Sequence, residues 1–224
     1  MKRSEINTLQ KSAIAFLKEQ KCYLPRWAYW TADEWAANRG KTQGVIQNML
    51  GWDITDFGSG EFYKIGLLLF TLRNGNVDNP KGKPYCEKLL IVRERQITPW
   101  HFHWNKMEDI INHGGGNLVI EMANVTDDER RADTPVVVQI DEVTTHVDAL
   151  GRIVLQPGDS VTLPPYNYHC FYGEEGGGTV LVGEVSMVND DNNDNRFLEP
   201  AGRFPEIEED ELLLYYLCNE YPSS

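Results

Sequence analysis

The chain has 224 residues, 41% hydrophobic and 25% charged, which is ordinary for a soluble globular protein with one substantial core. Its net charge of −13 argues against nucleic acid or an anionic membrane as partner and suits a small neutral substrate or a metal cation. No run approaches the roughly 18 apolar residues of a membrane span, and the N-terminus MKRSEINTLQ lacks the apolar core of a signal peptide.

The first element is a helix in SEINTLQKSAIAFLKEQK, where Ile6, Leu9, Ala13, Phe16 and Leu17 recur at helical spacing behind Ser4 as N-cap. Thr31 and Glu34 in TADEW have capping-box spacing and start a second short helix. From about Gly66 the texture changes to strands: GLLLFTLR, KLLIVRERQ, NLVIEMA, PVVVQI, RIVLQ, SVTLP and TVLVGEVSMV, separated by Gly, Pro, Asn and Asp. Short strands in series without helices between them predict a β-sandwich or barrel. The expected organisation is one domain over 1–224: a helical extension over 1–60, a barrel core over 66–188, and an acidic segment over 189–224 packing on the barrel. Within that last segment, NDDNNDN reads as a solvated surface loop and EIEEDELLLYYL as a short helix. Cys22, Cys86, Cys170 and Cys218 are scattered without a CxxC pair, which fits reduced thiols in the cytoplasm.

The chemistry is concentrated in PWHFHWNKMEDIINHGGG. His101 and His103 are two apart, so on a strand both imidazoles point to one face. Glu108 follows after enough chain to turn into the next strand, and GDSVTLPPYNYHCFYG supplies His169 after a Pro-Pro turn. Imidazoles with a carboxylate suit a borderline divalent ion such as Mn, Fe, Co, Ni or Zn. His113, beside a Gly-rich turn, and His146, in a hairpin, read as ordinary histidines.

These residues resemble the two cupin motifs. His101, His103, Glu108 and Gly115 match the first, with Arg95 where its leading glycine is usual. Gly158, Pro164 and His169 match the second, with Tyr166 where glycine is usual and Gly173 in place of asparagine. The stretches GWDITDFGSGEF, YCEKLLIVRERQITPWHFHWNKMEDIINHGGGNLVIE, LPPYNYHCFYGE and GRFPEIEEDE extend the resemblance, over nearly the whole chain, to the D-lyxose isomerase family of cupin-type sugar isomerases. The resemblance implies a mainly β fold, a jelly-roll cupin barrel, and a divalent metal, usually manganese, inside it. It also implies interconversion of D-lyxose with D-xylulose, often of D-mannose with D-fructose, and a homodimer.

Aldose–ketose isomerisation moves a proton between C2 and C1, which needs a base and a donor to oxygen. Lys88 shares a strand face with Cys86, Leu90 and Val92 and is the candidate donor. Glu206 in GRFPEIEED is the candidate base, with Glu199 in RFLEP behind it. Asp53 and Asp56 in GWDITDFGSG either hold substrate hydroxyls or serve as turn residues. The alternatives are a metal-dependent cupin dioxygenase, for which the same ligand set would hold iron, and a non-catalytic sugar-binding cupin.

Overall fold

The computed structural model describes residues 1–79, 81–191 and 193–222. Helix α1 (Arg3–Glu19) buries Ile6, Leu9, Ala13 and Leu17, the stripe expected from their spacing. It begins one residue before Ser4, so Ser4 is not the N-cap; its hydroxyl donates to Asp210 at 2.7 Å. Helix α2 (Ala32–Ala37) starts at Thr31, whose side chain and Glu34 form the capping box, and a short α3 (Gln43–Gln47) follows.

Among the described residues thirteen strands come next: β1 (Gly51–Thr55), β2 (Leu67–Arg73), β3 (Tyr85–Val92), β4 (Thr98–His103), β5 (Glu108–Gly115), β6 (Leu118–Asn124), β7 (Val136–Ile140), β8 (Val143–Val147), β9 (Arg152–Leu155), β10 (Ser160–Leu163), β11 (Asn167–Gly173), β12 (Val180–Met187) and β13 (Asn195–Phe197). They form an eight-stranded sheet in the order β1-β2-β3-β12-β5-β10-β7-β8 and a five-stranded sheet in the order β13-β4-β11-β6-β9. Every strand pairing is antiparallel. Alternation divides each strand between two environments. On β3, Leu90 and Val92 enter one core cluster with Ile110, Ile120, Phe171 and Val182, while Leu89 and Ile91 enter another with Ile6, Leu9, Trp52 and Phe70 under α1. The first is the barrel interior; the second attaches the N-terminal helix to the outside of the larger sheet.

Sheet structure therefore begins at Gly51 and not near Gly66. GWDITD is short and dotted with acids, yet Trp52 and Ile54 face the helix while Asp53 faces inward, so the strand is amphipathic in an unexpected sense. Asp56 is the turn residue of that stretch, accepting from the Gly58 N–H at 3.0 Å. The expected C-terminal helix does not form: no helix occurs among the described residues beyond 197. Its apolar residues, Leu212 to Leu214 and the tyrosines that follow, are consecutive and lack helical spacing. Part of the segment's hydrogen bonding goes instead to α1. Arg3 N–H donates to Glu208 O, Leu214 N–H to Asn7 Oδ1, and the buried Arg3 guanidinium binds both Glu209 and Glu220. No helix is long and apolar enough to cross a membrane, among the described residues.

The two residues that stand where the motifs have glycine adopt a backbone that favours glycine. Arg95 and Tyr166 each have φ +57, the left-handed region that glycine occupies freely. Gly115, which matches the motif, is required: φ is +85, and a Cβ there would run into the Thr179 carbonyl.

Candidate metal centre and catalytic cavity

His101 and His103 stand on the inward face of β4, and His169 on β11 is paired directly opposite His101. Glu108 opens β5. The sheets thus bring these four buried side chains together, with one ligand atom from each lying within 4.8 Å of all the others. The order is local from β4 to β5, which a short turn joins, and tertiary for His169, since β11 arrives from a distant part of the chain.

Each imidazole is oriented through Nδ1. His101 Nδ1 contacts Pro99 O at 2.8 Å, His103 Nδ1 Asp194 O at 3.1 Å, and His169 Nδ1 Asn167 O at 3.0 Å. A carbonyl only accepts, so Nδ1 carries the proton and Nε2 turns its lone pair inward. The Nε2 atoms of His103 and His169 are buried without a hydrogen-bond partner among the described residues. They lie 3.4 and 3.1 Å from the Glu108 carboxylate oxygens, acceptor against acceptor. Burial, with His169 and His103 beside it, holds the His101 imidazole well below its ordinary pKa, so the ring is neutral. Neutral imidazoles and a carboxylate converging through lone pairs fit a divalent cation.

The cluster opens into a cavity of about 430 Å³. Beside the ligands, Lys88 on β3 faces Glu184 on β12 across the register, Nζ to Oε1 at 3.0 Å. Lys106 reaches Glu108 at 2.8 Å and Glu184 at 3.1 Å. Asn189 Oδ1 accepts from Lys88 at 2.8 Å. Burial opposes the Glu184 charge, but Lys106 and Lys88 outweigh it and hold its carboxyl below the ordinary range. Burial likewise opposes the Lys106 charge, and Glu108 with Glu184 holds that ammonium above its ordinary value. All four groups are therefore ionised, two of each sign. On another wall Arg203 binds Asp53 at 3.0 Å and Asp191 at 2.9 Å. Phe197 stacks on the His101 ring, with centroids 5.3 Å apart.

The loop read as solvated surface helps to build this site. The Asp194 carboxylate accepts from the Asn105 and Lys106 backbone N–H groups at 2.8 and 2.9 Å, while its carbonyl orients His103. Lys88 is buried and lines the cavity. Glu206 is not brought there: it is exposed, and its carbonyl accepts from the Met1 ammonium at 2.8 Å as the segment follows α1. Glu199 is also exposed and outside the cavity lining. His113 and His146 are exposed, away from the cluster. Sequence reasoning missed Glu184, Lys106, Asn189, Asp194 and Arg203. Glu184 left a signal, as the one charge on the inward face of a strand whose neighbours there are Val180, Val182 and Ser186.

The D-lyxose isomerase family profile matches residues 1–221. The chain belongs to the D-lyxose isomerase family. It is an aldose–ketose isomerase. It is 47% identical to the D-lyxose/D-mannose isomerase of Serratia proteamaculans, over 99% of this chain and 98% of the relative. It is 46% identical, over the same shares, to the enzyme of that name from Escherichia coli O157:H7. The L-ribose isomerase of Cellulomonas parahominis is similar in fold, with a TM-score of 0.63 and 15% identity over 93% of this chain and 98% of that one. This isomerase thus has the cupin-like fold that its motifs led one to expect, and the family sets aside both the dioxygenase and the non-catalytic alternatives.

Proposed function

We propose that this isomerase interconverts D-lyxose and D-xylulose, and also D-mannose and D-fructose, by proton transfer through a cis-enediol. It works in the cytoplasm, as a homodimer, with a divalent ion, preferably Mn²⁺, held by His101, His103, Glu108 and His169. Support for the substrates comes from the relatives of nearly full coverage. The observation that carries the mechanism is the position of Glu184, ionised between two lysines in the cavity that the ligand cluster opens into.

When bound, the ion would polarise the substrate oxygens at C1 and C2 and so lower the cost of removing the C2 proton. Glu184 takes that proton and returns it to C1, while the O2 hydroxyl proton passes to O1. Lys88 and Lys106 keep Glu184 charged before the transfer and donate to oxygen as negative charge develops. Asp53, Asp191 and Arg203, on a different wall, hold the remaining hydroxyls. Glu206 has no part in this scheme, because it does not line the cavity.

The test uses Mn²⁺-loaded protein with D-lyxose in deuterated water. Deuterium should appear at C1 of the D-xylulose formed, and Glu184→Gln should lower kcat about a thousandfold while metal content is unchanged. A ketose free of solvent deuterium under every condition would instead support a hydride shift, and near-normal turnover of Glu184→Gln would remove Glu184 as the proton carrier.

A further inference from the structure

Tyr166 occupies the tip of the turn that delivers His169, between Pro165 and the first residue of β11. Its φ of +57 is unusual for a bulky side chain. Arg95, the other replaced glycine, spends its side chain on a solvent-exposed ion pair with Glu175. Tyr166 does something different. Its ring stacks on Phe102, with centroids 5.6 Å apart and planes 25° apart. Phe102 is fully buried on the reverse side of β4, between His101 and His103 in sequence, and it also meets Tyr168 at 4.9 Å and Trp104 at 5.5 Å.

The backbone adds a second link. Pro164 and Pro165 have no N–H, so of these three turn residues only Tyr166 can donate a backbone hydrogen bond to β4. Its N–H donates to His103 O at 2.9 Å. The next residue, Asn167, supplies the carbonyl that fixes the His169 tautomer. One left-handed residue thus ties the strand bearing His101 and His103 to the strand bearing His169, by its N–H and by its ring.

We infer that Tyr166 is a positioning residue for the metal centre, a latch whose ring on Phe102 holds the His169 turn in register with β4. This rests on the metal-binding reading above and deepens it. The ring carries the effect, because a glycine would adopt the same backbone without it.

The test titrates metal-free wild type, Tyr166→Phe and Tyr166→Asn with Mn²⁺ alone, reading free Mn²⁺ by electron paramagnetic resonance. Asparagine tolerates the left-handed backbone but lacks the ring. Tyr166→Phe should bind like wild type. Tyr166→Asn should bind about tenfold more weakly, the scale of lost ligand orientation, with its metal-free thermal midpoint little changed. Wild-type affinity in Tyr166→Asn overturns the latch, as does an affinity loss matched by collapse of the metal-free fold. Hydrogen exchange on the metal-free proteins gives a second measurement. Faster exchange over 101–103 and 167–169 in Tyr166→Asn than in Tyr166→Phe supports the latch, and equal exchange overturns it. Absence of Mn²⁺ binding by wild type would defeat the metal reading itself, and the exchange comparison would still decide the latch.

Discussion

Glu184 is 6% exposed on a strand face otherwise made of valines and a serine. A carboxylate buried there alone would cost several kcal/mol, so its charge depends on Lys88 and Lys106. Lys88 touches Glu184 and Asn189 but none of the metal-cluster residues. Lys88→Met should therefore leave metal binding intact and lower kcat about a hundredfold, more than it changes KM, as steady-state kinetics on the Mn²⁺-loaded variant would read. Asp194 acts in the opposite way. Its carboxylate holds the Asn105–Lys106 turn that joins the two histidines of β4 to Glu108. Asp194→Ala should weaken Mn²⁺ affinity by about ten- to a hundredfold, and an unaltered binding isotherm would show that the turn holds without it.

Among the elements, the pairing of the two chain ends stands out. Helix α1 contributes its apolar stripe to the outer core, and its polar residues organise the acidic segment that follows the barrel. Arg3 is 1% exposed, while its partners Glu209 and Glu220 are 60% and 19% exposed. Solvent screens the carboxylates, so each ion pair by itself contributes little. Removing the guanidinium still leaves its buried position unfilled and the strap without its anchor. Arg3→Met should lower the unfolding free energy by about 2 kcal/mol in urea denaturation. Because the strap continues from Arg203 in the cavity wall, a smaller change in KM should accompany it; metal affinity should not move.

For the whole molecule, the two sheets place the ligand cluster and its ionised neighbours in one cavity within a protein of net charge −13. That charge favours the approach of divalent cations and leaves neutral sugars unaffected. The buried carboxylate of Glu184 makes the fold acid-sensitive in a defined direction. Burial disfavours the Glu184 charge, but Lys106 and Lys88 more than offset this and depress its folded-state pKa below the ordinary 4.5. A depressed carboxyl pKa contributes stability that is fully present above the unfolded value and lost as pH falls through the folded value. The thermal midpoint of the metal-free protein should thus decline from roughly pH 4.5 downward, and Glu184→Gln should flatten that decline. A variant as acid-sensitive as wild type would assign the decline to other carboxylates.

Sequence alone determined whatever depends on short spacing. Two histidines at i and i+2 share a strand face, the apolar stripe of α1 follows from a 3.6-residue period, and Thr31 with Glu34 fixes the start of α2. The strand-rich texture and the cupin motifs carried the barrel and the His101, His103, Glu108 and His169 set, because ligand types and turn glycines leave local marks. Tertiary structure alone decided what long-range packing controls. Glu206 and Glu184 are equally acidic as letters, but one follows the surface of α1 and the other faces Lys88 across two paired strands. The acidic tail is held extended by α1, and the Asn- and Asp-rich loop is drawn inward by N–H groups on the β4–β5 turn. These hydrogen-bond partners and this compensation of buried charge come from residues 78 to 207 positions away, which no local pattern can register.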